Sequence, residues 1–512
     1  MASTDKFLQI IKDGYFFKGA SIDIGAATLD GECFPEAKIR IPLRTVNRHG
    51  LIAGATGTGK TKSLQLFAEQ LAQNGVPSLL MDIKGDLSGI AASGECNEKV
   101  ESRHEKIGID WNPEACTVEF LTLSTEKGAR LRATILEFGP VLFSKMLGLN
   151  ETQTGAVAVL FKYCDDNALP LLDLKDLKKV LQYIMNEGKD DLKSEYGLIT
   201  STTMGSIMRK VVELEQQGAD IFFGEKSFEV EDLLRVDENG RGIVNIVRLS
   251  DVQDRPKLFS TFILQLLAEI YSTFPEMGDV EQPKLVLFID EAHLVFEEAT
   301  SALLNQIETI IKLIRSKGIG IYFITQNPAD VPESVLGQLG MKIQHALRAF
   351  TAKDRKSIKT AAENYPESEF YDVSNMLTEL GIGEAFVTVL SEKGTPTPLV
   401  HTLMRAPQSR MDVLTTDEID SIVNQSHLVR KYNEVIDRES AYEILTKKLE
   451  ATFGETESEA SEPKKAEKGI LQTVLDSSIT KQVGRSLARE ITRGILGVLG
   501  IGGNRKGKGL FG

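Results

Sequence analysis

The sequence predicts an α/β fold built on a mainly parallel sheet, and three stretches carry that expectation. Gly50 to Gln65, GLIAGATGTGKTKSLQ, passes from a short apolar strand through a glycine loop into an amphipathic helix. VPSLLMDIKGDL and KLVLFIDEAH are apolar runs ending in acids, the pattern of strands buried on both faces with polar residues at their carboxyl ends. GIGIYFITQNPADVP is a further buried strand, which Asn-Pro ends and turns.

The loop Gly54-Ala55-Thr56-Gly57-Thr58-Gly59-Lys60-Thr61 fits GxxxxGK[ST] without a mismatch. Glycines let successive backbone N–H groups turn toward phosphate oxygens, and the helix N-terminus adds partial positive charge. Lys60 is placed to reach the β- and γ-phosphates of a nucleoside triphosphate, and Thr61 to offer a hydroxyl to Mg²⁺. ATP and Mg²⁺ are therefore the expected ligands, although no base-reading motif separates ATP from GTP.

The acids have distinct expected tasks. Asp290 would hold Mg²⁺ through water, and Glu291, next to it, would polarise the water attacking the γ-phosphate. Lys60 and Gln326, at the end of the TQNP strand, would absorb charge developing on that phosphate. His293 is expected to pack or cap locally. Asp82 and Asp86 either touch the metal's shell or simply shape the turn at their strand's end.

The 512 residues carry a formal net charge of -14. That charge argues against a surface coating nucleic acid everywhere, while leaving room for a local basic lining. Cys33, Cys96, Cys116 and Cys164 are far apart and form no CxxC pair, so neither a zinc site nor a disulfide framework is expected. The first residues, MASTDKFLQIIKDGYFF, lack an uninterrupted apolar core, and nowhere do eighteen consecutive apolar residues occur. A cytoplasmic protein without a transmembrane segment is the expectation.

The GxTGxGKT loop, the DEAH strand, an arginine before KGIG and the TQNP strand resemble the HerA and FtsK group of ring-forming ATPases. HGLIAGATGTGKT, MDIKGDLSG and FIDEAHLVF are similar, more closely, to bacterial HerA-like proteins of the YjgR type. The resemblance implies a three-layer P-loop NTPase core, RecA-like with an additional strand and a catalytic glutamate. It also implies a homo-oligomer, a hexameric ring, that uses ATP to move DNA. Its pattern points to Arg315 as an arginine donated to a neighbouring site, with Arg348 and Arg355 as alternatives, and to Arg48 as a phosphate contact in cis.

Along the chain, 1–45 reads as a short β segment and 46–405 as the ATPase core. Residues 131–217 form a helical insertion, because some two hundred residues between strands are too many for a simple connection. Helices are expected over 406–453, a disordered charged linker over 454–469, and an amphipathic helix with a basic, glycine-rich end over 470–512. That last helix could dock on a protein partner. Two functions follow: a DNA-translocating, helicase-like ATPase, or an ATP-driven switch acting on a protein.

Overall fold

A computed structural model describes residues 2–296, 301–434, 436 and 438–456. The expected C-terminal amphipathic helix and nearly all of the expected linker lie outside the described residues. The described residues divide into two compact units, one within 2–131 and 228–434, the other within 132–227 and the described residues after 434.

The first unit is built on a sheet of twelve strands among the described residues: β1 (Ser21–Leu29), β2 (Glu32–Pro42), β3 (Gly50–Ala53), β4 (Ser78–Asp82), β5 (Val118–Thr122), β6 (Ala129–Arg130), β7 (Val244–Arg248), β8 (Leu285–Ile289), β9 (Ile319–Thr325), β10 (Met341–Gln344), β11 (Glu384–Thr388) and β12 (Val400–Met404). Their order is β2-β1-β12-β11-β10-β3-β9-β8-β4-β7-β5-β6. From β10 to β6 every pairing is parallel. From β10 back to β2 every pairing is antiparallel. The strand β9 lies between the strand feeding the glycine loop and the strand ending in the acid pair, so all three deliver their carboxyl ends to one edge.

The apolar runs are strands because both faces are covered: β4, β8 and β9 are buried at every residue. The helix Lys60–Gln73 packs Phe67 against Phe288 and Tyr322, with ring centroids 5.5 and 4.9 Å away. That aromatic cluster seats the helix following the glycine loop on the sheet. Polar side chains on the same helix are buried too, and the segment after β12 satisfies them. Glu69 accepts from the backbone N–H groups of Gln408 and Ser409, both at 2.9 Å.

At the N-terminus the structure differs from the expected small β segment. Ala2–Gly14 is a helix whose Phe7 packs against Phe370 and Tyr371, and β1 joins the main sheet through β12. The helix escaped the sequence reading because its apolar face is completed by tertiary partners, Phe34 on β2 and Phe370 and Tyr371 more than 350 positions later.

The second unit is helical. Ile135–Met146 bends at Gly139 and Pro140, and Glu151–Asp166, Leu174–Met185 and Ser201–Gln216 follow. The buried carboxylate of Asp176 accepts from the N–H groups of Leu172, Asp173 and Tyr442, which anchors Ala441–Thr456 in this unit. The helices expected over 406–453 are thus divided. Thr416–Gln425 and His427–Tyr432 belong to the first unit.

Candidate nucleotide site at the carboxyl edge of the sheet

The glycine loop is tied at its entrance to both neighbouring strands. Gly54 N–H donates to Thr325 O at 3.2 Å and Ala55 N–H to Ala346 O at 2.7 Å. Gly54 has φ 155, and a Cβ there would fall 2.5 Å from the Cβ of His345, so only glycine fits. Gly59, with φ 114, turns the chain into the helix starting at Lys60. Buried Lys60 reaches back across the loop to donate to Ala55 O at 3.1 Å, and the Thr58 hydroxyl donates to the same oxygen at 2.7 Å. Burial, reinforced by Lys84, pulls the Lys60 pKa down against the pull of Glu291, Asp290 and Asp86.

Gln326 follows β9 directly, and its Oε1 accepts from the Thr56 hydroxyl at 3.3 Å, so strand end and loop touch. One strand further, Asp290 and Glu291 follow β8 and are both buried. Glu291 has φ 47, a left-handed conformation rare for a side-chain-bearing residue and found disproportionately at functional sites. Its Oε1 is ion-paired with Lys84, and its Oε2 lies 3.2 Å from Nδ1 of His293. Burial and the adjacent Glu291 push the Asp290 carboxyl up to about 6.

The acids at the carboxyl end of β4 separate into two kinds. Asp82 spends its carboxylate on the turn, accepting from Gly85 N–H at 2.8 Å, Asp86 N–H at 3.1 Å and Leu87 N–H at 3.2 Å. Burial first, then Asp86, pushes it up to about 7. The acceptor positions of Asp82 are thus directed at the backbone of its own turn. Asp86 points the other way: its Oδ2 lies 3.4 Å from the Thr61 hydroxyl, and its Oδ1 is buried without a hydrogen-bond partner.

This arrangement fits a hydrated divalent cation. Thr61 and Asp86 are in contact, the unpartnered Oδ1 of Asp86 leaves acceptor capacity in a buried place, and Asp290 stands at the same edge. Among the described residues no three His, Cys, Asp or Glu side chains converge on one point, so most of the cation's coordination would come from water and phosphate oxygens.

The arginines scatter. Arg48 precedes β3, and its guanidinium lies against Gly394 while Gly340 N–H donates to its carbonyl at 3.1 Å. This corrects the expected phosphate contact in cis: residues before a parallel strand lie at its amino edge, a strand's length from the loop. Arg315 precedes β9 and shares that amino edge, exposed. Arg348 follows β10 at the carboxyl edge and donates to Thr378 O at 3.5 Å; Arg355 is exposed on Ala352–Glu363.

Three residues of the site had no catalytic task assigned in the sequence. Lys84 and His293 both contact Glu291, His293 locally from two residues along the chain. Fully buried His345 donates through Nδ1 to Glu384 O and accepts from the Ser63 hydroxyl through Nε2, both at 2.9 Å, backing the loop. The DxKGD spacing was a signal for Lys84; His345 carried none.

A glycine loop between a parallel strand and a helix, with an added strand between it and an acid-terminated one, defines a P-loop nucleoside triphosphate hydrolase with a RecA-like core. Within that class, the chain matches the Helicase HerA-like C-terminal family over residues 28–476 and belongs to it. It is 22% identical over 358 residues to the DNA double-strand break repair helicase HerA of Sulfurisphaera tokodaii, covering 69% of this chain and 64% of that one. The HerA helicase of Sulfolobus acidocaldarius is also 22% identical, over 364 residues, covering 68% and 64%. The chain therefore spans somewhat under two thirds of these relatives' length. The bacterial conjugative coupling protein TrwB shares the fold in its unbound form with TM-score 0.51 at 16% identity, covering 80% of this chain and 94% of that one. TrwB bound to a non-hydrolysable ATP analogue gives TM-score 0.50 at 15% identity, covering 78% and 100%. Among the described residues no helix is long and apolar enough to cross a membrane.

Proposed function

We propose that this chain is the ATP-hydrolysing subunit of a HerA-type ring that moves DNA. The observation carrying the reading is the convergence of the Lys60 loop, Gln326 and the Asp290–Glu291 pair on one sheet edge, with Gln326 touching Thr56. Membership of a helicase family and the fold shared with a coupling protein that binds an ATP analogue supply the context.

In this reading the loop amides of 54–61 and the Lys60 ammonium hold the phosphate chain. Thr61 and Asp86, with Asp290 through water, hold Mg²⁺, which would neutralise charge between the β- and γ-phosphates. Glu291 orients the attacking water and takes its proton, while Gln326 donates to a γ-phosphate oxygen. Arg315 is the favoured arginine for a neighbouring subunit's site, its exposed place at the amino edge separating it from its own loop. Arg348 and Arg355 are the alternatives.

The test is ATP turnover with and without single- and double-stranded DNA across a salt series, with native mass measured with and without nucleotide. DNA stimulation that fades steeply with salt, in an oligomer, upholds the motor. The charge of -14 favours a second reading, an ATP-driven switch on a protein partner. Turnover indifferent to DNA selects it, and a strict monomer removes the ring.

A further inference from the structure

Glu291, the residue assigned above as the base, is not free. Its Oε1 is held by Lys84, whose side chain is 36% exposed while that of Glu291 is 6% exposed. The pairing follows from the fold. The strands β4 and β8 are neighbours in register, with Met81 opposite Ile289, so the residues just beyond each strand meet at the edge. The Asp82 carboxylate fixes the intervening turn through three backbone N–H groups, and that turn presents Lys84. Glu291 is fixed as well, by burial and by its left-handed backbone. Of the two partners only the long, partly exposed lysine can leave without disturbing the sheet.

A general base needs an oxygen within hydrogen-bond reach of the water it deprotonates, and it needs affinity for that proton. An ammonium on Oε1 takes that oxygen. The contact is therefore the opposite of what efficient hydrolysis requires.

We propose that Lys84 is a latch on Glu291: a positioning residue that withholds the carboxylate from water until DNA in the ring draws the lysine away. The proposal rests on the ATPase reading above. Under it the subunit hydrolyses little ATP alone, because it keeps its own base occupied. The idle state is written into the chain rather than imposed by a separate inhibitor.

The experiment compares the parent, Lys84→Met, Lys84→Arg, Glu291→Gln and the double variant Lys84→Met with Glu291→Gln, in turnover and in thermal unfolding. The latch predicts that Lys84→Met raises kcat without polymer about tenfold at unchanged KM for ATP, and so shrinks the stimulation by DNA. Lys84→Arg keeps the parent's low rate, since a guanidinium still pairs with a carboxylate. Without nucleotide, Lys84→Met lowers Tm by stranding a buried carboxylate, and adding Glu291→Gln recovers part of the loss. Turnover that falls toward the level of Glu291→Gln, or stays at the parent's, overturns the latch alone. Additive Tm effects overturn the ion pair itself. A parent and a Lys84→Met variant that both leave ATP intact overturn the ATPase reading and the latch with it.

Discussion

Two neighbouring strands, β4 and β8, end alike in apolar residues followed by acids, and their acids do opposite things. At the end of β4, Asp82 turns inward and is consumed by the N–H groups of residues 85–87. After β8, Glu291 takes a left-handed backbone and meets side chains, Lys84 and His293, instead of amides. What separates an anchor from a reagent is who satisfies the carboxylate. An acid whose lone pairs are filled by its own turn has nothing left to offer water or metal. Asp86, four residues past Asp82, sits on the reagent side, because its Oδ1 is unfilled.

The sharpest way to break this contrast is Glu291→Gln, which should cut kcat by about 10²–10⁴-fold, the usual worth of a positioned base, with nucleotide binding retained. Turnover at the parent's rate would remove Glu291 from the reagent class.

Anchoring extends to two buried histidines. Burial holds His49 and His345 down to about 4. His49 accepts the Ile321 N–H on Nδ1 at 3.1 Å and faces Ile311 O through Nε2 at 2.9 Å. A depressed pKa means the unfolded chain binds the extra protons. Their stabilising share is therefore complete above about pH 6.5 and drains away as pH falls toward 4, by roughly 3 kcal/mol each at most. Denaturant unfolding across that window should show the slope, and replacing either histidine should flatten it.

Asp82→Asn should cost about 1–2 kcal/mol of stability, because an amide cannot accept all three N–H groups, while turnover per folded molecule changes little. A large loss of kcat with an unchanged melting curve would move Asp82 to the reagent side. The smallest effect is expected from Asp86→Asn, a few-fold rise in the Mg²⁺ concentration that gives half-maximal turnover, checked by Mg²⁺ titration at fixed ATP.

Much of this was legible in order of residues. The glycine loop, the acid pair and Gln326 sit at chain-local transitions from strand to turn, which hydrophobic runs and turn residues reveal by themselves. Arg48 shows the limit from the other side. It stands six residues before Gly54, yet the direction of β3 carries it to the opposite edge of the sheet.

The sequence by itself determined the parallel α/β core, the phosphate loop and which strand ends carry acids, because each depends on contiguous residues and their periodicity. Only the tertiary structure decided that Asp82 is an anchor, that Lys84 occupies Glu291 and that His345 backs the glycine loop. Those outcomes depend on which strands become neighbours, and pairings such as Gly54 with His345 or Lys84 with Glu291 join residues about two hundred or more positions apart. A carboxylate's role follows from the donors around it, and the fold supplies those donors.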